Sequence, residues 1–379
     1  MVSNYQEYVK ESNMSQFYFL KHDDLDRMIS YFSGQGYEVM APAVRDKSIV
    51  YDNINNASEL PWGYVDIQEP AKYEVIKTDA KKAFGWSVPV QSVKPMLFEE
   101  KETLWKVSRD ESGKLTFNQS LNNKKYAVLG VRPCDLRAIE IQDRVFVENA
   151  YQDVRYKARR EAMFIVAANC TTAHSNCFCI ALGDKPEADK GFDLAMTEIE
   201  NGFVIETGSD KGRQAILALQ LDPATGAQTY QAEQKVKAVY AMQEKTLPPI
   251  AQVEKALTSS YDHPQWDDVA ERCLSCGSCT QSCPTCFCHT EKEEPSLDGK
   301  ESEHTREWDS CFGLDHSYTH GELYREEPKH RYRQWLTHKF GTWREQFKTK
   351  GCVGCGRCIT WCPVKIDVTE EINAICEEK

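Results

Sequence analysis

Two cysteine runs with the same spacing offer the clearest chemistry in this sequence of 379 residues. Twelve of its 16 cysteines lie between Cys273 and Cys376. Residues 273–284 and residues 352–363 both read C-x2-C-x2-C-x3-C-P. Three thiolates at this spacing let a tight loop wrap a 4Fe–4S cube, and the fourth, followed by proline, ligates the neighbouring cube. The spacing therefore predicts two 4Fe–4S clusters held close together.

The pattern assigns four thiolates to each cube, with the last cysteine of each run exchanged. We expect the first cube on Cys273, Cys276, Cys279 and Cys362. We expect the second cube on Cys352, Cys355, Cys358 and Cys283. A zinc site normally uses two C-x2-C pairs, which leaves a thiolate unexplained in each run. Disulfides are disfavoured because neighbours this close cannot all be bridged.

Four cysteines in the N-terminal part form a second candidate site: Cys134, Cys170, Cys177 and Cys179. Cys134 and Cys170 each follow a short apolar run of strand length, and the carboxyl ends of parallel strands share one edge of a sheet. We expect these four thiols to hold a third 4Fe–4S cluster. Their irregular spacing leaves buried structural thiols and an adventitious zinc as alternatives.

Three further cysteines, Cys286, Cys288 and Cys311, have open roles. They are candidates for additional metal ligation or for S–H groups beside the cubes, and small buried residues under the clusters are an equal alternative. Cys376 is interpreted as a core residue. The histidines of the polar C-terminal segment, His316, His320, His330 and His338, are interpreted as surface residues.

The elements that must position these thiols predict an α+β protein with two domains. Residues 1–250 read as an α/β domain, because the apolar strands at 126–131 and 163–168 flank a helical pattern and indicate a parallel pair covered on both faces. Asn201-Gly202 predicts a hairpin turn. After Pro248-Pro249 the strand-like runs end, so residues 251–379 are predicted to form an α-helical, ferredoxin-like dicluster domain.

Composition excludes several classes of function. With 46 basic and 58 acidic side chains the formal charge is −12, which argues against a nucleic-acid partner. The apolar runs are far shorter than the ~20 residues of a membrane helix, and the first residues carry no secretory signal. We therefore expect a cytoplasmic protein whose thiols stay reduced. Neither G-x-G-x-x-G after a strand nor a G-K-[ST] loop occurs, so no NAD(P) or FAD is expected in this chain.

Taken in order along the chain, these motifs resemble a known family. The segments that carry the resemblance are residues 130–139, 156–160, 169–170, 177–179, 191–194, 272–288, 308–311, 338–339 and 351–363. They are similar to the beta subunit of cytoplasmic nickel–iron hydrogenases (sulfhydrogenases) and to the related A subunit of anaerobic sulfite reductase. The resemblance spans roughly residues 125–375. It implies partners: a flavin subunit that exchanges hydride with NAD(P)H, and a nickel–iron or sirohaem module.

The leading hypothesis is an iron–sulfur electron-transfer subunit of a multi-subunit oxidoreductase, without a catalytic residue or substrate site of its own. Within it, an NAD(P)-linked nickel–iron hydrogenase is preferred over an anaerobic sulfite reductase. A second hypothesis makes the α/β domain itself a polysulfide reductase or a flavin site lined by Arg132 and Asp135. A third is a zinc-based assembly scaffold.

Overall fold

The central strands of the protein carry alternating side chains into two separate cores. The computed structural model describes residues 17–119, 121 and 124–377. On the strand at residues 126–131, Leu129 packs into one hydrophobic core and Val128 into another, and Val166 and Ile165 of the next strand alternate in the same way. Both faces of this part of the sheet are therefore covered, as its unbroken apolar sequence predicts.

The strands, numbered along the chain, have the following bounds. They are Phe17–Lys21 (β1), Glu38–Arg45 (β2), Ser48–Asn53 (β3), Tyr64–Glu69 (β4), Lys72–Lys77 (β5), Lys101–Arg109 (β6), Leu115–Asn118 (β7), Tyr126–Val131 (β8), Phe164–Ala168 (β9), Leu194–Ile199 (β10), Gly202–Thr207 (β11), Asp222–Pro223 (β12), His289–Pro295 (β13), Glu301–Trp308 (β14), Tyr318–Thr319 (β15) and Glu322–Leu323 (β16).

The helices are numbered in the same way. They are Leu25–Gly34 (α1), Lys94–Leu97 (α2), Pro133–Phe146 (α3), Val154–Ala162 (α4), Asp210–Leu219 (α5), Gly226–Tyr240 (α6), Ile250–Ser259 (α7), Gln265–Arg272 (α8), Ser278–Gln281 (α9), Pro328–Thr337 (α10), Trp343–Phe347 (α11), Arg357–Thr360 (α12) and Val368–Cys376 (α13). A π-helical turn, His338–Thr342, joins α10 to α11.

The larger sheet has eight strands in the order β12-β1-β11-β10-β9-β8-β2-β3. Its centre, β2-β8-β9-β10, is parallel, and the outer pairs are antiparallel. The predicted parallel pair of β8 and β9 is confirmed, with helices α3 and α4 in the connection between them. The predicted hairpin is confirmed too, since Ile199 pairs with Gly202 across its turn.

A second sheet joins segments that lie far apart in the sequence. Its order is β13-β14-β6-β7, and Lys101 of β6 pairs with Glu307 of β14. The expectation of a purely helical segment after residue 250 is therefore wrong, although the overall mixture of α and β is as predicted. The sequence hides β13 because the strand is polar and almost wholly exposed, so it has no apolar alternation. Pairing with β14, not burial, holds it.

Buried ion pairs connect this second sheet to the N-terminal part of the protein. The Glu102 carboxylate of β6 accepts hydrogen bonds from Arg155 at 3.2 Å, from Arg306 at 2.8 Å and from Arg159. The side chains of all four residues are less than a tenth exposed. A buried carboxylate with several charge-assisted partners is costly to separate from any one of them.

The C-terminal helices pack around an aromatic core of their own. This core contains Trp266, Tyr332, Trp335, Phe340 and Ile372. Five partly buried cysteines of the two runs pack against it: Cys273, Cys279, Cys352, Cys358 and Cys362. Among the described residues, no helix has the length and apolar character needed to cross a membrane.

Candidate metal centres

The first predicted set of thiols surrounds one cavity. Cys273, Cys276, Cys279 and Cys362 all line it, together with Tyr332 and Trp335 of helix α10. Three of these cysteines come from the first run and one from the second. The cavity therefore brings the last cysteine of the second run to the first three cysteines of the first run, and Cys358 lines it as well.

The second predicted set surrounds a neighbouring cavity. Cys352, Cys355, Cys358 and Cys283 line it, with Phe178, Lys339 and Phe340 among the other walls. Cys358 and Trp335 line both cavities, so a single layer of side chains separates the two. Electron transfer between centres requires short separations of this kind.

The two cysteine loops have the same backbone conformation. Ser275 and Gly354, two residues after the first cysteine of each run, both have positive φ, at 50° and 63°. Gly277 and Gly356 follow at 75° and 73°. These left-handed residues fold each loop so that backbone N–H groups face the thiols. Glycine suits such positions because it lacks a Cβ.

Backbone N–H groups already donate to the cysteine sulfurs. The Ser275 N–H lies 3.4 Å from Cys273 Sγ, and the Gly354 N–H lies 3.4 Å from Cys352 Sγ. The Ile366 N–H donates to Cys362 Sγ at 3.3 Å. Hydrogen bonds to ligand sulfurs are a main way in which proteins adjust the potential of an iron–sulfur cluster.

The donor groups around the first cavity fit a 4Fe–4S cluster. The Tyr332 hydroxyl and the Trp335 indole N–H are buried and have no hydrogen-bond partner among the described residues. Buried polar groups normally have partners, and the sulfides of a cube would accept from such donors. Sulfur-only ligation at this spacing is also the donor set that iron–sulfur clusters use.

Burial keeps most of these thiols protonated in the absence of a cluster. It raises the pKa of Cys352 to about 12 and raises the pKa values of Cys279 and Cys358 well above the usual range. Thiolates, not thiols, are the ligands of iron, so loading must displace these protons.

A buried lysine lies beside the thiols of the second set. Lys339 Nζ donates to Thr285 Oγ1 at 2.8 Å, to the Gly351 carbonyl at 3.1 Å and to Cys283 Sγ at 3.4 Å. Burial alone would lower its pKa, but the sulfurs of Cys283 and nearby cysteines more than offset this and hold the pKa well above its usual range. Lys339 therefore remains a cation beside this cavity.

The N-terminal four cysteines lie together at the carboxyl edge of the large sheet. Cys134 lies in the first turn of helix α3 after β8, Cys170 follows β9, and Cys177 and Cys179 lie on the next loop. Burial is the main cause that raises their pKa values. The charges of Cys170 and Cys179 also raise the pKa values of neighbouring thiols in the set. The structure thus brings together the four thiols predicted as the third site.

This third set adjoins the second cysteine run. The Phe178 N–H donates to the Gly354 carbonyl at 2.9 Å. A Cβ on Gly354 would lie 2.4 Å from the backbone nitrogen of Cys179, so only glycine fits there. Burial is the main cause that raises the pKa values of Cys134 and Cys177, and the charge of Cys355 raises both further.

A fully buried ion pair links the two neighbourhoods. Arg357, between Cys355 and Cys358, makes a two-pronged contact with Asp135, which follows Cys134. The two N–O distances are 2.7 Å and 2.9 Å, and neither side chain is exposed. Sequence reasoning missed this pair because the two residues are 222 positions apart.

The cysteines of open role, Cys286, Cys288 and Cys311, lie beside the first two sets. The neighbouring Cys283 raises the pKa of Cys286 well above its usual range, and the neighbouring Cys311 lowers the pKa of Cys288 to about 4. His316, expected at the surface, is half-buried, and its Nδ1 lies 2.8 Å from Asp309 Oδ2. Across residues 17–119, 121 and 124–377, no three His, Cys, Asp or Glu side chains are arranged to hold a single metal ion.

Comparison with known proteins agrees with this geometry. Residues 272–366 match the family model described as a 4Fe–4S dicluster domain. The chain is similar to Sulfhydrogenase 2 subunit beta from Pyrococcus furiosus, with 27% identity over 332 residues, which is 83% of this chain and 92% of that relative. These two findings confirm the resemblance inferred from the sequence motifs. No solved structure matches the chain.

Proposed function

We propose that this chain is the iron–sulfur electron-transfer subunit of a multi-subunit, NAD(P)-linked nickel–iron hydrogenase. The observation that carries the proposal is the pair of adjacent cavities. The first is lined by three cysteines of the first run with Cys358 and Cys362 of the second, and the second by three cysteines of the second run with Cys283 of the first. The dicluster match and the similarity to a sulfhydrogenase beta subunit support the same role. Each 4Fe–4S cube supplies one-electron chemistry when bound.

We assign the ligands as follows. The first cube is held by Cys273, Cys276, Cys279 and Cys362, the second by Cys352, Cys355, Cys358 and Cys283, and the third by Cys134, Cys170, Cys177 and Cys179. The loop contact between Gly354 and Phe178 supports an order in which the second site lies between the other two. The protein then offers a path from the α/β part to the C-terminal helices.

The chain's own residues set the environment of this path. Lys339 places a buried positive charge at the second site, and the Arg357–Asp135 pair fixes the second run against the third set. Aromatic side chains, chiefly Trp335 and Phe340, exclude water from the cavities. A dry environment with fixed donors determines how readily a cluster takes an electron.

The partners follow from what the sequence lacks. We assign the flavin and the NAD(P)H site to a separate subunit, because this chain carries no dinucleotide fingerprint. The nickel–iron module is assigned to another. The similarity to a sulfhydrogenase subunit favours this assembly over a sirohaem sulfite reductase. We place the protein in the cytoplasm, where thiols remain available for clusters.

Iron and acid-labile sulfide analysis of anaerobically purified protein tests the proposal. About twelve atoms of each per chain are expected for three cubes, and about eight would remove the N-terminal one. A colourless protein that contains zinc would overturn the assignment. Reducing the isolated chain without partners separates the remaining alternative: cluster bleaching alone is expected, and polysulfide turnover in the α/β part would instead make that part an enzyme.

A further inference from the structure

A cleft beside the first cysteine run contains a buried cation without a hydrogen-bond acceptor. The cleft has a volume of about 280 Å³ and is lined by residues of the segment 90–95 and of helix α9. Lys94 is one of them and is only 6% exposed, yet among the described residues its ammonium group makes no hydrogen bond and no ion pair. Lys94 Nζ lies instead 3.5 Å from the centroid of the Trp308 ring. A buried charge without an acceptor is costly, so an anion in the cleft would stabilise it.

This arrangement sets Lys94 apart from the other buried cations. Every other buried lysine or arginine side chain that the structure describes donates to at least one oxygen atom. Arg132 donates to backbone carbonyls, Arg357 to a carboxylate, and Lys339 to a hydroxyl and a carbonyl. Burial lowers the pKa of Lys94 because the charged form loses hydration, and a bound anion would offset this loss.

A buried hydroxyl group with a hydrogen left to donate lies next to this cation. Ser92 also lines the cleft and is 5% exposed. Its Oγ accepts a hydrogen bond from the Lys94 backbone N–H at 3.2 Å, and it donates to none of the described residues. An ammonium group and a hydroxyl that both lack an acceptor are complementary to a negatively charged oxygen atom.

We propose that this cleft binds a small organic anion, with its oxyanion head on Lys94 and Ser92 and its apolar body against Trp361. A carboxylate and a phosphate both present such a head. The cleft is larger than a bare oxyanion needs, because a water molecule occupies about 30 Å³ in the liquid and the cleft has room for several.

Apolar side chains supply the surface for the body of the ligand. Val90, Pro95 and Trp361 line the cleft. Tyr73 packs against Trp361, with ring centroids 5.2 Å apart and planes inclined by 30°, and so fixes the indole in place. Binding sites for small molecules generally combine apolar walls with a few polar groups that fix the orientation of the ligand.

Exposed polar side chains adjust the charge that the cleft accepts. Glu100 lines it and is exposed, so its carboxylate repels an anion and limits the affinity. The exposed amide groups of Gln91 and Gln281 line the same cleft and have hydrogens to donate. Neutralising Glu100 should therefore strengthen binding.

The cleft shares a wall with the first proposed cluster site. Ser278 lines both the cleft and the cavity of the first cysteine set, and Ser282 of the cleft directly precedes Cys283. A bound anion adds negative charge beside these thiols and so disfavours reduction of the cubes. By linkage, reduction must weaken anion binding by the same factor. This coupling rests on the proposed function, whereas binding itself does not.

Isothermal titration calorimetry of the anaerobically purified full chain tests the binding. Benzoate and phenyl phosphate distinguish a carboxylate from a phosphate head, and at least one should bind once per chain. Benzyl alcohol has the ring without the charge and should bind at least about tenfold more weakly than that anion. Inorganic phosphate has no ring and should bind more weakly than phenyl phosphate. Failure of both aromatic anions to bind, or equal binding of benzyl alcohol, would overturn the proposal.

Three variants locate the bound anion. Lys94→Met keeps the apolar stem but removes the charge, and it should weaken binding of the tighter anion by about tenfold or more. Glu100→Gln should strengthen binding, and because Glu100 is exposed it tests the site even where Lys94→Met fails to fold. Lys237→Met is the control, since Lys237 is exposed on helix α6 and pairs with Glu233 at 2.6 Å. Unchanged affinity in both folded cleft variants would refute this site.

Redox titration with and without the tighter anion, monitored by electron paramagnetic resonance, tests the coupling. Saturating anion should make the potential of at least one cube more negative in wild-type protein and should have no effect in Lys94→Met. Binding without any change in potential would refute the coupling and leave the cleft standing. A chain that binds the anion but contains no iron would refute the electron-transfer role and leave the binding proposal intact.

Discussion

Replacing Lys339 by methionine should make the potential of the second cube more negative. The Lys339 ammonium lies 3.4 Å from Cys283 Sγ and is only 4% exposed, so solvent screens it weakly. Methionine keeps the length and apolar stem of the side chain but removes the charge. Because the positive charge favours the more negative, reduced form of a cluster, its loss favours the oxidised form.

The size of the shift follows from Coulomb's law. Two unit charges about 4 Å apart at an effective dielectric constant of about 20 interact with about 4 kcal/mol, and this is an upper bound for one electron localised at the sulfur. Since about 1.4 kcal/mol corresponds to about 59 mV for a one-electron couple, the bound is near 170 mV. An electron delocalised over a whole cube experiences only part of this interaction energy. We therefore expect a shift of about 50–150 mV in the potential of the second cube.

Redox titration of the full chain, monitored by electron paramagnetic resonance, measures this shift. Lys339→Arg should retain most of the wild-type potential, because it retains the charge. Lys329→Met is the matched control, since Lys329 begins the same helical region but pairs with Asp267 at 2.7 Å, away from the thiols. A shift below about 20 mV, or an equal shift in the first cube, would contradict the electrostatic argument.

Two further substitutions test the sites and the packing between them. Cys283→Ala should abolish the resonance of the second cube and spare the first, whereas Cys279→Ala should do the reverse; the opposite result would refute the exchanged ligands. Asp135→Ala should destabilise the protein by about 3–5 kcal/mol, because it leaves the buried Arg357 charge unpaired. Urea unfolding followed by circular dichroism measures this loss, Arg357→Met in the same variant should recover part of it, and a loss below about 1 kcal/mol would refute it.

Local patterns in the sequence were sufficient to predict the parallel pair of strands at the centre of the large sheet. The apolar runs at β8 and β9 have no polar interruption, so their burial on both faces could be inferred without tertiary information. The cysteine spacing predicted which eight thiols would surround the two C-terminal cavities. Both signals are local or repeated, and the structure adds little to their interpretation.

Features that depend on distant partners could not be predicted. Residues 334–347 carry several charged side chains, yet Trp335, Phe340 and Trp343 are buried and Lys339 is buried with them. The cysteine sulfurs that face Lys339 stabilise its buried charge, and the most influential of them, Cys283, belongs to another segment of the chain. The sequence likewise places His316 at the surface, yet the side chain is half-buried and its Nδ1 lies 2.8 Å from Asp309 Oδ2.

The sheet that pairs β6 with β14 has a consequence for how the protein is made. Thr103 meets Glu303 across this pair, 200 positions later in the chain. At about 5–20 residues per second, a ribosome needs roughly 10–40 s to reach the partner strand. During that interval β6 presents an unsatisfied strand edge, which favours association with other nascent chains. Slow translation or loss of a chaperone should therefore lower the yield of this protein before any cofactor is inserted.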